Sequence, residues 1–598
     1  MKNSTKIKNF NFLNKDNISK TIFAIFATFS VFVVFTIIGY LLYASIPAFQ
    51  NIGFFKFIFG TEWSSKTGVF GIWRMIVGTM FLTLTSVLLG GTLAIFTAVW
   101  LVFYCPKKLK KIYSQVINLL AGIPSIVYGL FGYKFLMPLL VDIFQPDNAG
   151  FGLLACTLIL SIMILPTITA LIKNSLESVP IHYYEGALAL GCSKNQAVWK
   201  VLVPSAKSGI ISAIILGAGR AIGETMAVQM IVGNGLGYPF GAFVPFTTLT
   251  SNIVQNWGYA TPAEQSALIA DGFVLLLFIL ILNLCLIAIK KDSKKNKFFT
   301  RRIKDRDCAT NSLKSYSRTG KIANTLWIFS WIIAIIVAFV LVFIVLFVFA
   351  KGLPYLSLNF MFGKSSNAHT TLAPAFVSTL MLIGLALLIA LPLGVGAAIY
   401  LNEFSKKNSV FLKIIRLFVD TLAGIPSIIF GVFGMVFFVM WLGLGYSLTA
   451  GSITLALIIL PTIIRSTEQS LSEVPDSMRE ASYALGASKL RTIFVVVLPQ
   501  AITGIITSII LSIGRIVNES AALIFTVGSA STFIPLSYSD SAASFSILVW
   551  KFMSNGLQVN EAYATASILL IFVILLNILV SLVEKFFNRR KKYGEKYN

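Results

Sequence analysis

The sequence predicts an all-α polytopic membrane protein built from two homologous six-helix halves. Three observations predict this class. Hydrophobic residues make up 57% of the 598 residues and charged residues only 12%, whereas a soluble domain carries about 25% charged residues. Apolar runs long enough to cross a hydrocarbon core of about 30 Å as helices recur from end to end. Finally, motifs of the first half return in the second half at a nearly constant offset.

The internal repeat is visible in short identical motifs. LPTI at 165–168 returns at 460–463, a shift of 295, and AGIPS at 121–125 returns at 423–427, a shift of 302. Four pairs of single residues keep the shift of 295: Glu185 and Glu480, Gly191 and Gly486, Pro204 and Pro499, and Arg220 and Arg515. One offset held over this distance indicates a duplicated unit, which must be identified before any fold is assigned.

Each half is predicted to contain six spans. In the first half they lie near 21–47, 74–104, 114–140, 151–172, 208–233 and 266–289. In the second half they lie near 325–350, 373–401, 411–442, 450–466, 503–528 and 562–584. The first run exceeds the roughly 7–15 residues of a signal-peptide core, so we interpret it as a retained span. Both halves then cross the membrane in the same direction, as parallel repeats do.

The basic residues indicate the orientation. The net charge is +25, and Lys and Arg concentrate near the N-terminus, at 107–111, at 290–321 and at 589–592. Under the positive-inside rule, both termini and the middle basic segment are cytoplasmic and the protein lies in the cell membrane. Because the basic clusters follow this topological pattern, the net charge is not interpreted as evidence for nucleic-acid binding.

The same reasoning sets the predicted domain boundaries. They are a cytoplasmic N-terminus (1–20), a first half (21–289), a cytoplasmic linker (290–323), a second half (324–585) and a cytoplasmic tail (586–598).

Two segments between the fourth and fifth spans, the first connecting loop (175–205) and the second connecting loop (470–500), have the same form. Each is predicted to be a helix, a glycine turn and a second helix. Proline suits the first position of the first helix, and Gly191 and Gly486 suit its left-handed C-terminal cap. Ser193 and Gln196 have capping-box spacing for the second helix. A loop that only lies along the membrane surface is the alternative, but it does not explain why both copies have this form.

Two apolar segments carry buried charge. GRAIGETMAV (219–228) contains Arg220 and Glu224, and GRIVNESAAL (514–523) contains Arg515 and Glu519. The i, i+4 spacing predicts that each pair shares one face of one helix. An ionisable residue at the middle of a bilayer costs about 2.5–3.5 kcal/mol on insertion scales, so it needs a partner or a function. The pairs therefore either line a pathway or act as ion pairs that only fix helix packing.

The connecting loops resemble the "EAA" loop of importer permeases of the ATP-binding-cassette (ABC) class. The matching residues are Glu185, Gly186, Ala187 and Gly191 in the first copy, and Glu480, Ala481, Ser482 and Gly486 in the second. The resemblance implies an ABC importer type-1 (MetI-like) transmembrane domain in each half, with cores at about 76–289 and 373–584. It also implies that the two loops dock onto cytoplasmic ATPase subunits.

The chain carries no GxxxxGK[ST] phosphate-binding loop, so the ATPase is expected on separate subunits, in two copies. No cofactor, metal site or catalytic residue is predicted, and the chain is not expected to be an enzyme itself.

The motifs resemble, more narrowly, the two permeases of the bacterial phosphate-specific (Pst) transporter. AGIPSIVYG, EGALALG and GRAIGETMAV are similar to the C-type permease, and AGIPSIIFG, EASYALGAS and GRIVNESAAL to the A-type. The resemblance implies a natural C-then-A fusion that carries inorganic phosphate across the membrane. Asn518 and Ala522 depart from the A-type pattern, which is closer to GETAP.

The resemblance also implies the roles of individual residues and further partners. Arg220, Glu224, Arg515 and Glu519 would face the pathway, because a dehydrated phosphate suits the planar, permanently charged arginine. Arg465 is a further pathway candidate, although an arginine that reaches the cytoplasmic interface is an equal interpretation. Import would need an extracytoplasmic phosphate-binding protein, with candidate docking surfaces in the outer loops 48–73, 234–265, 351–372 and 529–561.

Three other functions are compatible with parts of the sequence. An ABC permease for molybdate, sulfate or phosphonate would share the loops and the fold. A twelve-helix secondary transporter would share the two parallel halves but would not need two docking loops. A membrane-embedded enzyme would need a metal or nucleophile cluster, which the sequence does not offer.

Overall fold

The computed structural model describes residues 2–295, 312–366, 370–405, 409–554, 556 and 558–595. Among these residues, ten helices are long and apolar enough to cross a membrane, and the number rises to at most twelve if each of two bent helix pairs is one span. The predicted class, an all-α polytopic membrane protein, is therefore confirmed. Residues 296–311, the middle of the predicted linker, and residues 596–598 of the predicted tail lie outside the described residues.

The helices up to residue 295 are α1 (Lys2–Ile52), α2 (Phe54–Phe59), α3 (Trp73–Val99), α4 (Lys107–Ala121), α5 (Ser125–Phe131), α6 (Met137–Phe144), α7 (Leu153–Glu177), α8 (Ile181–Ala189), α9 (Lys194–Ala197), α10 (Val203–Ser205), α11 (Lys207–Ile222), α12 (Met226–Ile231), α13 (Leu249–Asn256) and α14 (Pro262–Lys295). A short antiparallel hairpin, β1 (Trp63–Ser64) and β2 (Val69–Phe70), precedes α3. Helix α14 thus extends into the predicted linker.

The helices from residue 312 onward are α15 (Ser312–Gly352), α16 (Leu358–Phe362), α17 (Ala373–Ile399), α18 (Val410–Gly424), α19 (Ser427–Gly434), α20 (Leu448–Ser472), α21 (Asp476–Ala484), α22 (Lys489–Thr492), α23 (Leu498–Asn518), α24 (Ala521–Thr526), α25 (Phe545–Ser554) and α26 (Val559–Glu595). Single turns of 3-10 helix lie at Trp257–Tyr259 and Leu353–Tyr355.

The two halves share their irregularities as well as their helices. Wide π turns follow α3 at Trp100–Tyr104 and α17 at Tyr400–Phe404. They recur at Val198–Leu202 and Ile493–Val497 within the connecting loops, and at Gly132–Leu136 and Met435–Trp441. A π turn is a rare feature that is frequent at functional sites. Its repetition at equivalent positions confirms that the halves are structural copies.

The described chain forms two compact units that do not coincide with the sequence halves. The first unit comprises Ala48–Lys351, and the second comprises Met1–Pro47 together with Gly352–Asn598. Most of α1 therefore belongs to the unit formed by the second half, and most of α15 belongs to the unit formed by the first half.

Helix α1 is held in the second unit by a buried stripe at heptad-like spacing. The stripe consists of Ala27, Ser30, Val34, Ile37 and Leu41, all essentially inaccessible to solvent. The ring of Phe23 packs 5.8 Å from that of Phe404, and the Tyr40 hydroxyl donates to the Val436 carbonyl at 3.3 Å. A stripe of this kind buries one face of a helix against a neighbour.

Helix α15 is held in the first unit in the same way. The Tyr113 hydroxyl donates to the carbonyl of Ala334 at 2.9 Å, and the ring of Trp331 packs 5.2 Å from that of Trp100. Phe343 packs 5.0 Å from Phe135, further along the same helix. Each of the two units thus contains one span that the sequence repeat assigns to the other half.

Within each unit, the second and fourth spans pack at short distance. Helix α3 contacts α7, and α17 contacts α20. A Cβ atom at Gly90 would lie 2.9 Å from the carbonyl oxygen of Ser161, so glycine permits this approach. Hydroxyl groups cross the same interface, as Thr85 and Thr157 do at 2.9 Å.

Candidate functional site

The fifth span of each half is broken at its charged motif. Helix α11 ends at Ile222, and α12 begins only at Met226. In the second unit, α23 ends at Asn518 and α24 begins at Ala521. The expectation that arginine and glutamate share one face of one continuous helix is therefore wrong in both copies. The apolar run conceals the break, because its residues are compatible with an uninterrupted helix.

Each arginine donates a hydrogen bond to a threonine of the fourth span. Arg220 Nη1 donates to the hydroxyl of Thr167 on α7, and Arg515 Nη1 donates to the hydroxyl of Thr462 on α20 at 3.0 Å. Both threonines belong to the repeated LPTI motif. The sequence identified this motif only as a marker of the repeat. The common separation of 53 residues between threonine and arginine was the signal that could have linked them.

Each glutamate lies in the break and accepts from the helix that follows. The Glu224 carboxylate accepts from the Ala227 N–H at 3.3 Å, and the Glu519 carboxylate accepts from the Ala522 N–H at 3.2 Å. A carboxylate at a helix N-terminus satisfies one of its unpaired N–H groups and interacts favourably with its dipole. In the second unit, Arg515 and Ser427 also interact with Glu519.

The two departures from the A-type pattern do not change this geometry. Asn518 stands where the first half has Gly223, and α23 ends at Asn518, one residue later than the position equivalent to Ile222, where α11 ends. Ala522 supplies the N–H that Glu519 accepts, which a proline at that position would lack. The second site is thus as complete as the first.

The AGIPS motifs bring another helix against these sites. Proline precedes α5 and α19 in each copy. A Cβ atom at Gly129 would lie 3.1 Å from Cα of Ala227, and one at Gly431 would lie 2.9 Å from Cα of Ala522. Only glycine allows the helices to approach this closely. The conserved form AGIPSxxxG within this chain therefore positions the residues that hold the glutamates.

Parts of two predicted outer loops fold back toward the helix breaks. Residues 249–253 on α13 are all buried, and the Thr250 hydroxyl donates to the Glu224 carbonyl at 2.9 Å. On α25, the Ser546 hydroxyl donates to the Glu519 carbonyl at 2.5 Å. The candidate docking surfaces in 234–265 and 529–561 are therefore limited to the residues outside the buried parts of α13 and α25.

Close packing near the first site occurs at Gly217 rather than at Gly219. A GxxxG step formed by Gly219 and Gly223 suggests a close helix neighbour. A Cβ atom at Gly219 would meet no atom of the described residues within 4 Å. The close approach to α7 occurs instead at Gly217, where a Cβ atom would lie 2.6 Å from Ile168 Cγ1. The space beside Gly219 leaves room next to Arg220.

Arg465 has a partner in the structure. It forms an ion pair with Asp420 of α18, and the two side chains are 47% and 54% exposed. Arg465 lies one turn of α20 beyond Thr462, which binds Arg515. Its place on the same helix face as Thr462 is compatible with either of the two sequence-based interpretations.

The connecting loops have the predicted form. Helix α8 is followed by Gly191 with φ +84°, and α21 by Gly486 with φ +80°. Ser193 accepts from the Gln196 N–H, and the Gln196 side chain accepts from the Ser193 N–H, so the capping box is present. Proline is the N-cap in both loops rather than the first helical residue.

The most exposed large apolar side chain of each connecting loop is a leucine at the turn. Leu190 and Leu485, which precede the turn glycines, are 87% and 89% exposed. Glu185 and Glu480 are also exposed, and so are Gly186 and Ala481. Ala187 is buried, whereas the hydroxyl of Ser482, at the equivalent position, lies 2.9 Å from that of Thr492. An exposed leucine at the same position of both copies is the kind of residue that a partner protein covers.

The chemistry of the site follows from these contacts. Each unit offers a partly exposed guanidinium held by a threonine hydroxyl, with a carboxylate fixed at the start of the next helix. Arginine donates several hydrogen bonds in a plane and stays charged, so it suits a tetrahedral oxyanion. Among the described residues, no group of three or more His, Cys, Asp or Glu side chains could hold a metal ion.

Comparison with known proteins gives one family match. Residues 90–291 and 390–593 each match the family described as "Binding-protein-dependent transport system inner membrane component".

Several individual proteins are similar to the chain. A protein of Mycoplasma pneumoniae named phosphate transport system permease protein PstA homolog is 27% identical over 90% of this chain and 91% of its own length. The phosphate transport system permease protein PstC of Xylella fastidiosa strain 9a5c is 33% identical over 38% of this chain and 74% of its own length. The probable ABC transporter permease protein YqgH of Bacillus subtilis is 40% identical over 36% of this chain and 71% of its own length.

Proposed function

The chain belongs to the family of binding-protein-dependent transport system inner membrane components, and we propose that it is a permease of a phosphate importer. Two copies of the family domain in tandem support a fusion of a C-type and an A-type permease. Relatives named as phosphate transport permeases, one of them similar over 90% of the chain, support phosphate as the substrate. This whole-chain similarity is the observation that carries the proposal.

In this proposal each unit contributes one arginine site to phosphate passage. The arginine of each site, Arg220 or Arg515, donates to a phosphate that has lost part of its water, while Thr167 or Thr462 holds the guanidinium in place. Each glutamate, anchored to the following helix, limits how tightly the anion is held. A site that binds too tightly would trap the phosphate rather than pass it on, as in other permeation pathways.

The connecting loops are the proposed sites of ATPase docking on the cytoplasmic side. Leu190 and Leu485 would each insert into a groove of an ATPase subunit, with Glu185 and Glu480 on the same helices. Two loops imply two ATPase subunits, or two copies of one. An extracytoplasmic phosphate-binding protein would deliver the substrate at the opposite end of the spans.

The proposal is tested by transport. Membrane vesicles that contain this chain, an ATPase subunit and a phosphate-binding protein should take up labelled phosphate only when ATP is supplied on the ATPase side. Molybdate, sulfate and phosphonate are added in excess as competitors of phosphate, and the uptake of each oxyanion is measured as well. Uptake that is faster for one of these oxyanions than for phosphate would assign the permease to that substrate. Uptake without ATP would indicate a secondary transporter instead.

A further inference from the structure

A pocket of about 670 Å³ lies in the first unit where the end of the second span, the first connecting loop and the start of α15 meet. This volume is within the range of about 300–1,000 Å³ typical of small-molecule sites. Its lining includes Tyr104, Lys194, Asn195, Asn324, Trp327 and Trp331. The pathway residues contribute nothing to it.

One side of the pocket is polar and positively charged. The Asn195 side-chain amide donates to the Asn324 amide oxygen at 2.8 Å, which ties the connecting loop to α15. The Lys194 ammonium lies 5.6 Å from the centre of the Tyr104 ring, in cation–π geometry. The ion pairs of the described residues do not include Lys194. Its charge is therefore available to an anion in the pocket.

The other side of the pocket is apolar and continues onto the outside of α15. Trp327 is 37% exposed, and the neighbouring Ile328 is 50% exposed. The apolar span of α15 starts at Lys321, so Trp327 lies near the end of the span. Tryptophan at this depth is typical of the level of the lipid headgroups. The pocket therefore opens toward the region where headgroups and acyl chains meet.

We propose that this pocket binds the headgroup of an anionic phospholipid from the leaflet on the side of the connecting loops. The Lys194 ammonium pairs with the negatively charged phosphodiester, and the side-chain amides of Asn195 and Asn324 donate hydrogen bonds to it. The acyl chains lie along the exposed apolar face of α15. Basic pockets between membrane helices recognise anionic headgroups in this way.

Free inorganic phosphate fits this pocket poorly. A phosphate dianion has no apolar part to contact the indole rings, and the lining supplies one ammonium and no guanidinium. A phospholipid contributes one phosphodiester charge and a long apolar portion, which matches both sides of the pocket. The inference does not depend on which oxyanion crosses the membrane.

Native mass spectrometry of the purified full-length chain tests the proposal. The protein is incubated with phosphatidylglycerol and with phosphatidylcholine that carry identical acyl chains. We expect more phosphatidylglycerol to remain bound, and we expect Lys194→Gln to reduce this preference about fivefold, the contribution of one basic residue near a membrane surface. Asn324→Leu, which removes another polar group from the same side of the pocket, should weaken phosphatidylglycerol binding independently.

The control is Lys200→Gln. Lys200 is an exposed lysine of the same connecting loop that does not line the pocket, so its variant should keep the full preference. The proposal is overturned if Lys194→Gln and Asn324→Leu both bind phosphatidylglycerol like the unmodified chain. It is also overturned if millimolar inorganic phosphate displaces the bound phosphatidylglycerol, because the pocket would then be a site for free phosphate.

Discussion

Arg479 and Glu403 form a buried ion pair, with Nη2 of the arginine 2.8 Å from Oε1 of the glutamate and side chains only 11% and 4% exposed. Arg479 lies on α21 of the second connecting loop, and Glu403 lies in the π turn that ends the second span of that half. Two further hydrogen bonds join the guanidinium to the carbonyls of Val474 and Leu471, at 2.6 and 2.8 Å. The pair therefore fixes the helix that carries Glu480 to a membrane helix.

Removing one member of this pair should loosen the second connecting loop. We expect Arg479→Ala or Glu403→Ala to cost about 3–5 kcal/mol, because each leaves a buried charge without its partner. The variants should lower the thermal stability of the purified chain and the amount of ATPase that co-purifies with it. Asp476→Ala is the control, since Asp476 also contacts Arg479 but is 69% exposed.

The first half of the chain suggests a double variant that should compensate for the loss of this ion pair. Its equivalents of Arg479 and Glu403, at the offsets of 295 and 300, are Tyr184 and Phe103. We expect Glu403→Phe combined with Arg479→Tyr to recover much of the stability that either alanine variant loses, since well-packed apolar residues often replace a buried ion pair without cost. A double variant that is no better than Arg479→Ala would show that the ion pair itself is required.

A second prediction concerns the turn of the first connecting loop. Gly191 has φ +84°, a backbone conformation that is strained for any residue with a side chain. Gly186 lies within α8 and has no such strain. A Cβ atom at either position would meet no atom of the described residues within 4 Å. Gly191→Ala should therefore cost about 1–2 kcal/mol and weaken ATPase association, measured by co-purification. Gly186→Ala introduces the same methyl group without strain and should leave association unchanged. Equal yields from both variants would contradict a docking role for this turn.

The sequence predicted well those structural elements that are determined by residues close together in the chain. The spans follow from apolar length, and the turns of the connecting loops follow from Gly191, Gly486 and the Ser193–Gln196 capping box. The exchange of α1 and α15 between the compact units could not be predicted in this way. A stripe such as Ala27, Ser30 and Val34 shows that one face of a helix is buried, but many partners could cover it.

The candidate site was predicted only in part. The charged residues were evident because Arg220 and Arg515 interrupt apolar runs. Their partners, Thr167 and Thr462, carry no charge and sit in helices that the sequence explains fully by burial. At the break after Ile222, the Thr250 hydroxyl donates to the Glu224 carbonyl, a tertiary contact that has no local sequence signal.

A third prediction concerns topology. Reporter tags after residue 5, within 295–315 and after residue 592 should all report the cytoplasm, because basic residues cluster at these three places. The comparison position is the outer loop near Ser65, which should report the opposite side. An external signal from a tag within 295–315 would give an odd number of spans in each half. Such a result would contradict the predicted arrangement of six spans in each half.

A fourth prediction tests the threonines. Thr167→Val keeps the shape of the side chain but removes the hydroxyl that accepts from Arg220. We expect the guanidinium to lose its fixed orientation, with phosphate transport reduced several-fold and assembly unchanged, since one hydrogen bond to a charged group contributes about 1.5–3 kcal/mol. Thr157→Val is the control, because the Thr157 hydroxyl meets Thr85 at 2.9 Å and contacts no arginine. Equal transport rates for the two variants would remove Thr167 from the pathway.

The last prediction separates a pathway role for Arg220 from a packing role. Arg220→Gln keeps most of the length and hydrogen bonding of the side chain but removes its permanent charge. We expect the variant to assemble with the ATPase and to lose phosphate transport, because the bond from Arg220 to Thr167 is lost while the Glu224 carboxylate still accepts from the Ala227 N–H. Arg515→Gln should also lose phosphate transport, since Arg515 donates to Thr462 as Arg220 donates to Thr167.

The decisive variant combines Arg220→Gln with Glu224→Gln. If the two residues acted only as an ion pair, removing one charge would leave the other buried and unpaired at a cost of about 3–5 kcal/mol. The single variant would then assemble poorly, and the double variant would recover both assembly and transport. If Arg220 contacts the passing anion, the double variant assembles but still does not transport, because no permanent positive charge remains at that position. Vesicle uptake of labelled phosphate, scaled to the amount of assembled complex, distinguishes the two results, and normal uptake by the double variant would exclude Arg220 from the pathway.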